Sequence, residues 1–213
     1  MPDSNALDVA DHLLSTTRAV RMRLDFERPV AKELILECLR LAIQAPTGSN
    51  RQNWRWVVVT EPELKDAIAD AYRDGAGSYL EDRRAEATAP QERRIFESAV
   101  FLAENMQRAP ALVIPCIEHP IDLSSNGSAA STYGSILPAV WSFQLALRAR
   151  GLGSAWTTLH LKHEDRVAKL LGIPDGVHQV ALLPVAYTKG TDFKPARRQP
   201  VEEVTHWNRW GVA

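Results

Sequence analysis

The stretch Ala45-Pro46-Thr47-Gly48-Ser49-Asn50-Arg51-Gln52-Asn53-Trp54 divides an amphipathic helix from an apolar strand, Arg55-Trp56-Val57-Val58-Val59-Thr60. Upstream of it, Leu34, Ile35, Cys38, Leu39, Leu41 and Ala42 recur at helical spacing, so Pro29 is expected to open a helix that runs to about Ala45. Pro46 lacks a backbone N–H and restricts the residue before it, which stops the helix. Gly48 is expected to give the turn its freedom. Thr47, Ser49, Asn50 and Gln52 then place four hydrogen-bonding side chains on one short loop that carries no carboxylate. Two readings stay open for this loop. One is a connection rich in turn residues; the other is a cradle for a neutral, polar, planar ligand.

Before this loop, Asp3 or Ser4 is placed to cap a first helix through about Leu14. The segment Ser15–Arg23 follows, with Arg18, Arg21 and Arg23 set among small or apolar residues. An extended chain there would put Arg21 and Arg23 on one side, with Val20 and Met22 opposite. Such a segment is either a solvated basic strand or a phosphate contact, for which guanidinium is suited.

After the loop's strand, Glu61-Pro62-Glu63 has the form of a helix start. The charged run from Gly75 to Glu92, interrupted by Pro90, reads as a solvated helical excursion rather than a nucleic-acid patch. Ala111–Ile117 reads as a buried strand, with Pro115 expected at a strand end or bulge. The polar loop from Glu118 to Ser128 is expected to be mobile. Ser131-Thr132-Tyr133-Gly134 leads into a long helix, Ser135 to Arg150, apolar nearly all round and therefore central or at a subunit interface. A strand at Ser154–Leu159, a helix from Lys162 to Leu171 closed by Gly172, and a buried strand at Val180–Tyr187 follow. The last 25 or so residues change character and carry Val201, Val204, Trp207 and Trp210. Those rings need cover, on a partner chain or on their own domain.

Strands alternate with helices, without internal repeats. A formal charge of −1 gives no broad field for nucleic acid or an anionic membrane. Cys38 and Cys116 lack partners at metal-ligand spacing and fit a reducing compartment. Met1–Asn5 lacks the pattern of a signal peptide, and no stretch nears the roughly 20 apolar residues of a membrane span. A cytoplasmic location is expected. No G-x-G-x-x-G follows a strand, and the P-loop and G-x-S-x-G patterns are missing, so the usual routes to Rossmann binding, phosphoryl transfer and serine hydrolysis lose support.

Four pieces, in order, carry a resemblance. Thr17-Arg18-Ala19-Val20-Arg21 resembles the pattern R-[RST]-S-[VI]-R, and Ala45–Trp54 resembles A-P-S-x-x-N-x-Q-P-W. Gly151-Leu152-Gly153 with Trp156-Thr157-Thr158-Leu159 resembles a G-[LV]-G…T-T segment, and Arg197-Arg198-Gln199-Pro200 resembles [KR]-R-x-P. Together, from about Ser15 to Pro200, the chain resembles the nitroreductase family of FMN-dependent oxidoreductases, whose relatives include dehalogenases of the iodotyrosine deiodinase type. Thr17, Ala19 and Asn53 depart from the patterns, which have arginine, serine and proline there.

The resemblance implies an α+β fold, a central mixed, mainly antiparallel sheet flanked by helices. It implies one domain over residues 1–213 with a C-terminal arm from about 188. It also implies an intertwined homodimer with FMN at the interface. By the same resemblance Arg18, Arg21 and Arg198 would hold the phosphate, ribityl chain and pyrimidine edge, with Arg18 and Arg198 at the phosphate and any bond at Ala19 made by its backbone. Pro46, Thr47, Gly48, Ser49, Asn50 and Gln52 would face the ring system and ribityl chain, part of them from the partner subunit. Thr157, Thr158 and Leu159 would meet the dimethylbenzene side and the reactive nitrogen. The implied activity is ping-pong reduction of a nitroaromatic, quinone or similar small aromatic, with NADPH or NADH as donor. The flavin carries the redox chemistry, so no catalytic side chain and no metal is named. A reductive dehalogenase of the same fold, or a flavin-storage protein without turnover, remains as an alternative.

Overall fold

The computed structural model describes residues 4–118 and 124–211. They fall into two units, one spanning Arg18–Thr191 and one that gathers the N-terminal helix with the chain from Asp192 onward.

The larger unit is built on a six-stranded sheet. Its order is β1 (Leu24–Asp25), β6 (Leu183–Thr188), β3 (Ala111–Glu118) and β2 (Trp54–Val59). Two short strands complete it, β4 (Leu152–Ser154) on β6 and β5 (Val177–Gln179) on β3. Among the described residues every strand pair is antiparallel. The architecture is α+β, as expected.

The central strand explains itself from its sequence. Ala111 to Ile117 are all buried, and alternate residues face opposite sides. Val113 and Ile117 join a cluster with Ile35 and Cys38 of α2 (Lys32–Ala42) and Phe143 and Leu147 of α7 (Leu137–Ala149). Leu112, Ile114 and Cys116 fill the other face. Each such aliphatic side chain contributes about 1.5–3 kcal/mol of burial. Pro115 is not at an end or a bulge. β3 pairs with β6 over Ala111–Val113 and with β5 over Cys116–Glu118, and Pro115 lies where the partner changes. Its carbonyl accepts from Val180 on that side, so its missing N–H falls in the gap and leaves no ladder bond unmade.

Proline also starts three helices here. Pro62 opens α3 (Pro62–Ala76), Pro90 opens α5 (Pro90–Asn105), and Pro138 stands in the first turn of α7. A first-turn proline loses no intrahelical bond. Pro90 therefore begins a helix after α4 (Tyr79–Glu86), where an interruption was expected. Pro29 differs again. Ala31 is extended, at φ −67° and ψ 140°, so α2 starts only at Lys32, and it ends at Ala42, short of Ala45.

Other boundaries shift for local reasons. The expected helix from Ser135 becomes α6 (Asn126–Gly134), capped by Ser125, followed by α7. The strand expected at Val180–Tyr187 starts later, as β6 from Leu183, with β5 an additional short strand just ahead of it; of the one expected at Ser154–Leu159 only Ser154, the end of β4, and one bridge, Thr157 to Leu182, are in the sheet. A 3-10 turn, Leu159–His163, leads into α8 (Glu164–Leu171), which ends on Gly172 at φ 65°. Arg18–Arg23 is not an extended alternating segment. Val20 is buried and Met22 exposed, because Leu24 N–H bonds back to the Arg21 carbonyl in a turn.

In the smaller unit, α1 (Ser4–Thr16) carries exposed Leu7, Val9 and Leu14. Asp3, the other cap candidate, lies outside the described residues, as do residues 119–123 of the expected mobile loop. The C-terminal chain holds one 3-10 turn, Val201–Val204. Trp207 and Trp210 are 67% and 91% exposed. No helix among the described residues is long and apolar enough to cross a membrane.

Candidate functional site

The loop of residues 46–52 is held by its own polar groups. Asn50 N–H donates to the Thr47 carbonyl, Gln52 N–H to Thr47 Oγ1, and Gln52 Nε2 to Asn50 Oδ1 at 3.2 Å. Its left-handed residues are Ser49, Asn50 and Gln52, at φ 54°, 52° and 52°. Gly48 is not among them, so the turn does not draw on its freedom as expected. Gly48 instead allows a close approach. Its N–H donates to Ser135 Oγ at 3.0 Å, and a Cβ there would stand 3.2 Å from that oxygen. Three side-chain-bearing residues in a left-handed conformation store roughly a kcal/mol or more each, the kind of strain that collects at ligand sites.

Beside the loop lies a cleft of about 60 Å³, lined by Gly48, Ser49, Asn53, Ile117, Ser131 and Ser135 among others. Asn53 Nδ2 donates to the Glu118 carbonyl, while its Oδ1 is buried without a partner. Pro46 and Ser49 to Gln52 are exposed, and Thr47 is half-buried. Asn53, Ser131 and Ser135 were missed from sequence. The only signal was the run of small polar residues, Ser131 to Gly134, ahead of α7.

A second group gathers around β4. Val20 N–H donates to the Ser154 carbonyl at 2.9 Å, which brings Arg18, Ala19 and Arg21 to the strand that leads to Thr157. Thr157 is buried, and its hydroxyl donates to the Leu182 carbonyl at 2.7 Å. Thr158 is exposed and Leu159 half-buried. Helix α3 backs this segment so closely that a Cβ on Gly75 would overlap the Leu159 carbonyl oxygen. Arg21 is half-buried, and burial lowers its pKa below the usual guanidinium value while the nearby Tyr72 acts in the other direction. A guanidinium stays charged through such a shift. Yet neither Arg18 nor Arg21 has a carboxylate partner among the described residues. Burying a cation is costly unless an anion meets it, so a half-buried Arg21 without a carboxylate is suited to meet an anionic ligand.

Within the sheet the strands that lead to the two groups are not neighbours. The loop precedes β2, and β3 and β6 separate it from Thr157, which is about 14 Å at three strand spacings. Arg198 belongs to the smaller unit and is exposed, with Nη1 turned to the Arg197 carbonyl.

A family model described as the nitroreductase family matches residues 14–187. The chain belongs to the nitroreductase family. An iodotyrosine deiodinase of Thermotoga neapolitana is 31% identical over 192 residues, 90% of this chain and 93% of that protein. A putative NADH dehydrogenase/NAD(P)H nitroreductase of Archaeoglobus fulgidus is 23% identical over 93% of this chain and 97% of its own. Among solved structures, an FMN-dependent nitroreductase of Mycobacterium smegmatis in complex with NADPH superposes with a TM-score of 0.69 at 20% identity. It covers 96% of this chain and 100% of that one. The nitroreductase-like fold is thereby established.

The residues present fit FMN on three observations from this chain. The guanidinium groups of Arg18 and Arg21 lack an anion, Gly48 keeps a Cβ out of the loop's inner side, and Asn53 Oδ1 awaits a donor. The Thr157 hydroxyl, by contrast, is engaged inside the protein, which leaves Thr158 and the backbone to face a ligand.

Proposed function

We propose that this protein is an FMN-dependent oxidoreductase that reduces small, flat aromatic acceptors, nitroaromatics or quinones, with NADPH or NADH as donor. Arg21 carries the reading: a half-buried cation without a carboxylate, next to Arg18, on the segment that resembles the family's arginine motif. FMN, when bound, accepts a hydride from the nicotinamide and returns the two electrons to the acceptor. With protons from solvent, a nitro group then becomes a nitroso group and water, or a quinone becomes a hydroquinone. Arg18 and Arg198 bind the phosphate, and Arg21 stabilises negative charge at the pyrimidine edge. Pro46 to Asn50 and Gln52 orient the ring system and ribityl chain, and Thr157 to Leu159 meet the dimethylbenzene side and the reactive nitrogen.

The working unit in this proposal is a homodimer of a single-domain chain, in which the loop of one copy and the Arg18–Arg21 segment of the other complete one site; β2 and Thr157 within a copy stand three strand spacings, about 14 Å, apart in the sheet. The exposed apolar residues of α1 and of the arm, Trp207 and Trp210 included, would be covered by the partner. Two buried free thiols, raised to about 11 at Cys38 and about 12 at Cys116, suit a cytoplasmic setting.

A second reading has one observation in its favour, the 31% identity with the Thermotoga deiodinase over nine-tenths of the chain. There the same two electrons and a proton replace the halogen of a halophenol and release halide. Reconstitution with FMN, followed by stopped-flow reduction with NADH and NADPH and then turnover of nitroaromatic against halophenol, tests both. A protein that stays colourless refutes the flavin site. A flavin that neither donor bleaches refutes the reductase reading.

A further inference from the structure

Among the described residues Arg21 has one side-chain hydrogen-bond partner, the hydroxyl of Ser98 on α5, at 3.3 Å from Nη1. Ser98 is itself oriented. Its Oγ donates to the Ile95 carbonyl one helical turn back, at 2.8 Å, so that its lone pairs are left for the guanidinium. Tyr72 of α3, a 4% exposed phenol, is near enough to Arg21 for the two to interact electrostatically. A flexible arginine is thus held at its tip by a hydroxyl of α5 before any anion arrives.

We infer that Ser98 is a positioning residue for the flavin. By fixing the Arg21 guanidinium in advance, it makes that charge act on the reduced, more negative form of the cofactor. The inference rests on the proposed role of Arg21. Holding a guanidinium by a neutral hydroxyl keeps its full charge available, where a carboxylate would cancel it. Pre-orientation also removes the ordering cost that an arginine otherwise meets on binding. Donors fixed ahead of the charge they will meet are the arrangement that favours a developing anion.

The test is made on the full-length holoprotein, by spectroelectrochemical titration of bound FMN. Ser98→Ala should weaken binding of reduced FMN relative to oxidised about tenfold, a fall of ~30 mV for a two-electron couple. The pH at which the bound reduced flavin changes its spectrum should rise with it. Ser98→Thr keeps a hydroxyl on the same helix and should return both values to those of the parent protein. A merely structural role for Ser98 would change unfolding but not the potential. A Ser98→Ala protein that is yellow, with an unchanged potential, overturns the inference while leaving the flavin site intact, provided that Arg21→Lys still shifts the potential. If Arg21→Lys leaves it unmoved too, the role of Arg21 itself falls. Parent protein that takes up no FMN overturns both readings.

Discussion

His160 stands in the 3-10 turn directly after Thr157 and Thr158. It is 0% exposed, and neither ring nitrogen has a hydrogen-bond partner. Burial alone pushes its pKa down from 6.5 to about 4. The imidazole is therefore neutral when folded, because a charged ring would lose its water without gaining a partner. The unfolded chain takes a proton near pH 6.5, whereas the folded chain refuses it until about pH 4. Within that window the unfolded state binds more protons, so stability rises with pH and falls as acid is added. The gap between 6.5 and about 4 corresponds to about 3 kcal/mol in full. Some 2 kcal/mol of it develops by about pH 5.

Urea unfolding of the parent and of His160→Leu, between about pH 7.5 and about pH 5, isolates this term. Leucine nearly matches the ring in volume and does not titrate. Other titrating groups cancel in the difference between the two proteins. The advantage of the parent over the variant should shrink by roughly 2 kcal/mol as the pH falls through the window. A difference that stays flat would refute the buried, unpartnered state of the ring. Because the turn continues from the segment proposed to face FMN, release of the cofactor should follow the same titration.

Gly75→Ala must push α3 off the Leu159 carbonyl, so it should cost about 1–3 kcal/mol in urea unfolding and loosen FMN, read from the fluorescence of released flavin. Thr157→Val removes the buried bond to Leu182 and should cost about 1 kcal/mol, whereas Thr158→Val, at an exposed position, should leave stability within roughly 0.5 kcal/mol and change only the flavin spectrum. Light scattering should return twice the 23.7 kDa chain mass for the holoprotein; removal of residues 192–213 should lower that mass and release FMN, and a stable monomer that keeps FMN would refute the shared site.

Where a residue type has one local consequence, the sequence was a good guide. Pro62 and Gly172 bound their helices as read, and the unbroken apolar run at Ala111–Ile117 is the buried central strand. It misled where the same residue serves two ends. Pro90 and Pro115 both read as disruptions. One opens a helix and the other sits where a strand changes neighbours, and only the long-range pairing of β3 reveals that gap. Gly48 was assigned conformational freedom, but the left-handed backbone lies one and two residues later and again at Gln52. What Gly48 allows is a close approach to Ser135, 87 positions away, whose hydroxyl would have to shift slightly for a Cβ. Ser98 and Tyr72 leave no mark at all near Arg21 in the chain, since they lie 77 and 51 positions downstream. Motif spacing reports the residues that touch a ligand; it does not report the ones that hold them.

The three departures from the family patterns can be weighed in the same way. At Asn53 the backbone carbonyl, not the N–H, joins the sheet, by accepting from Glu118 N–H at 2.8 Å. A proline there would make the same bond, so asparagine preserves the geometry and adds a side-chain bond to the Glu118 carbonyl together with a buried acceptor in the cleft. Thr17 is different in kind. Its hydroxyl donates to the Leu13 carbonyl at 2.6 Å and closes the last turn of α1, so it offers no proton to a phosphate and supplies no charge. Ala19 is exposed and has no side-chain donor. In the proposed site, charge compensation for the phosphate therefore concentrates on Arg18 and Arg198. Guanidinium groups pair bidentately with phosphate, so the proposal expects FMN binding with fewer contacts rather than its loss.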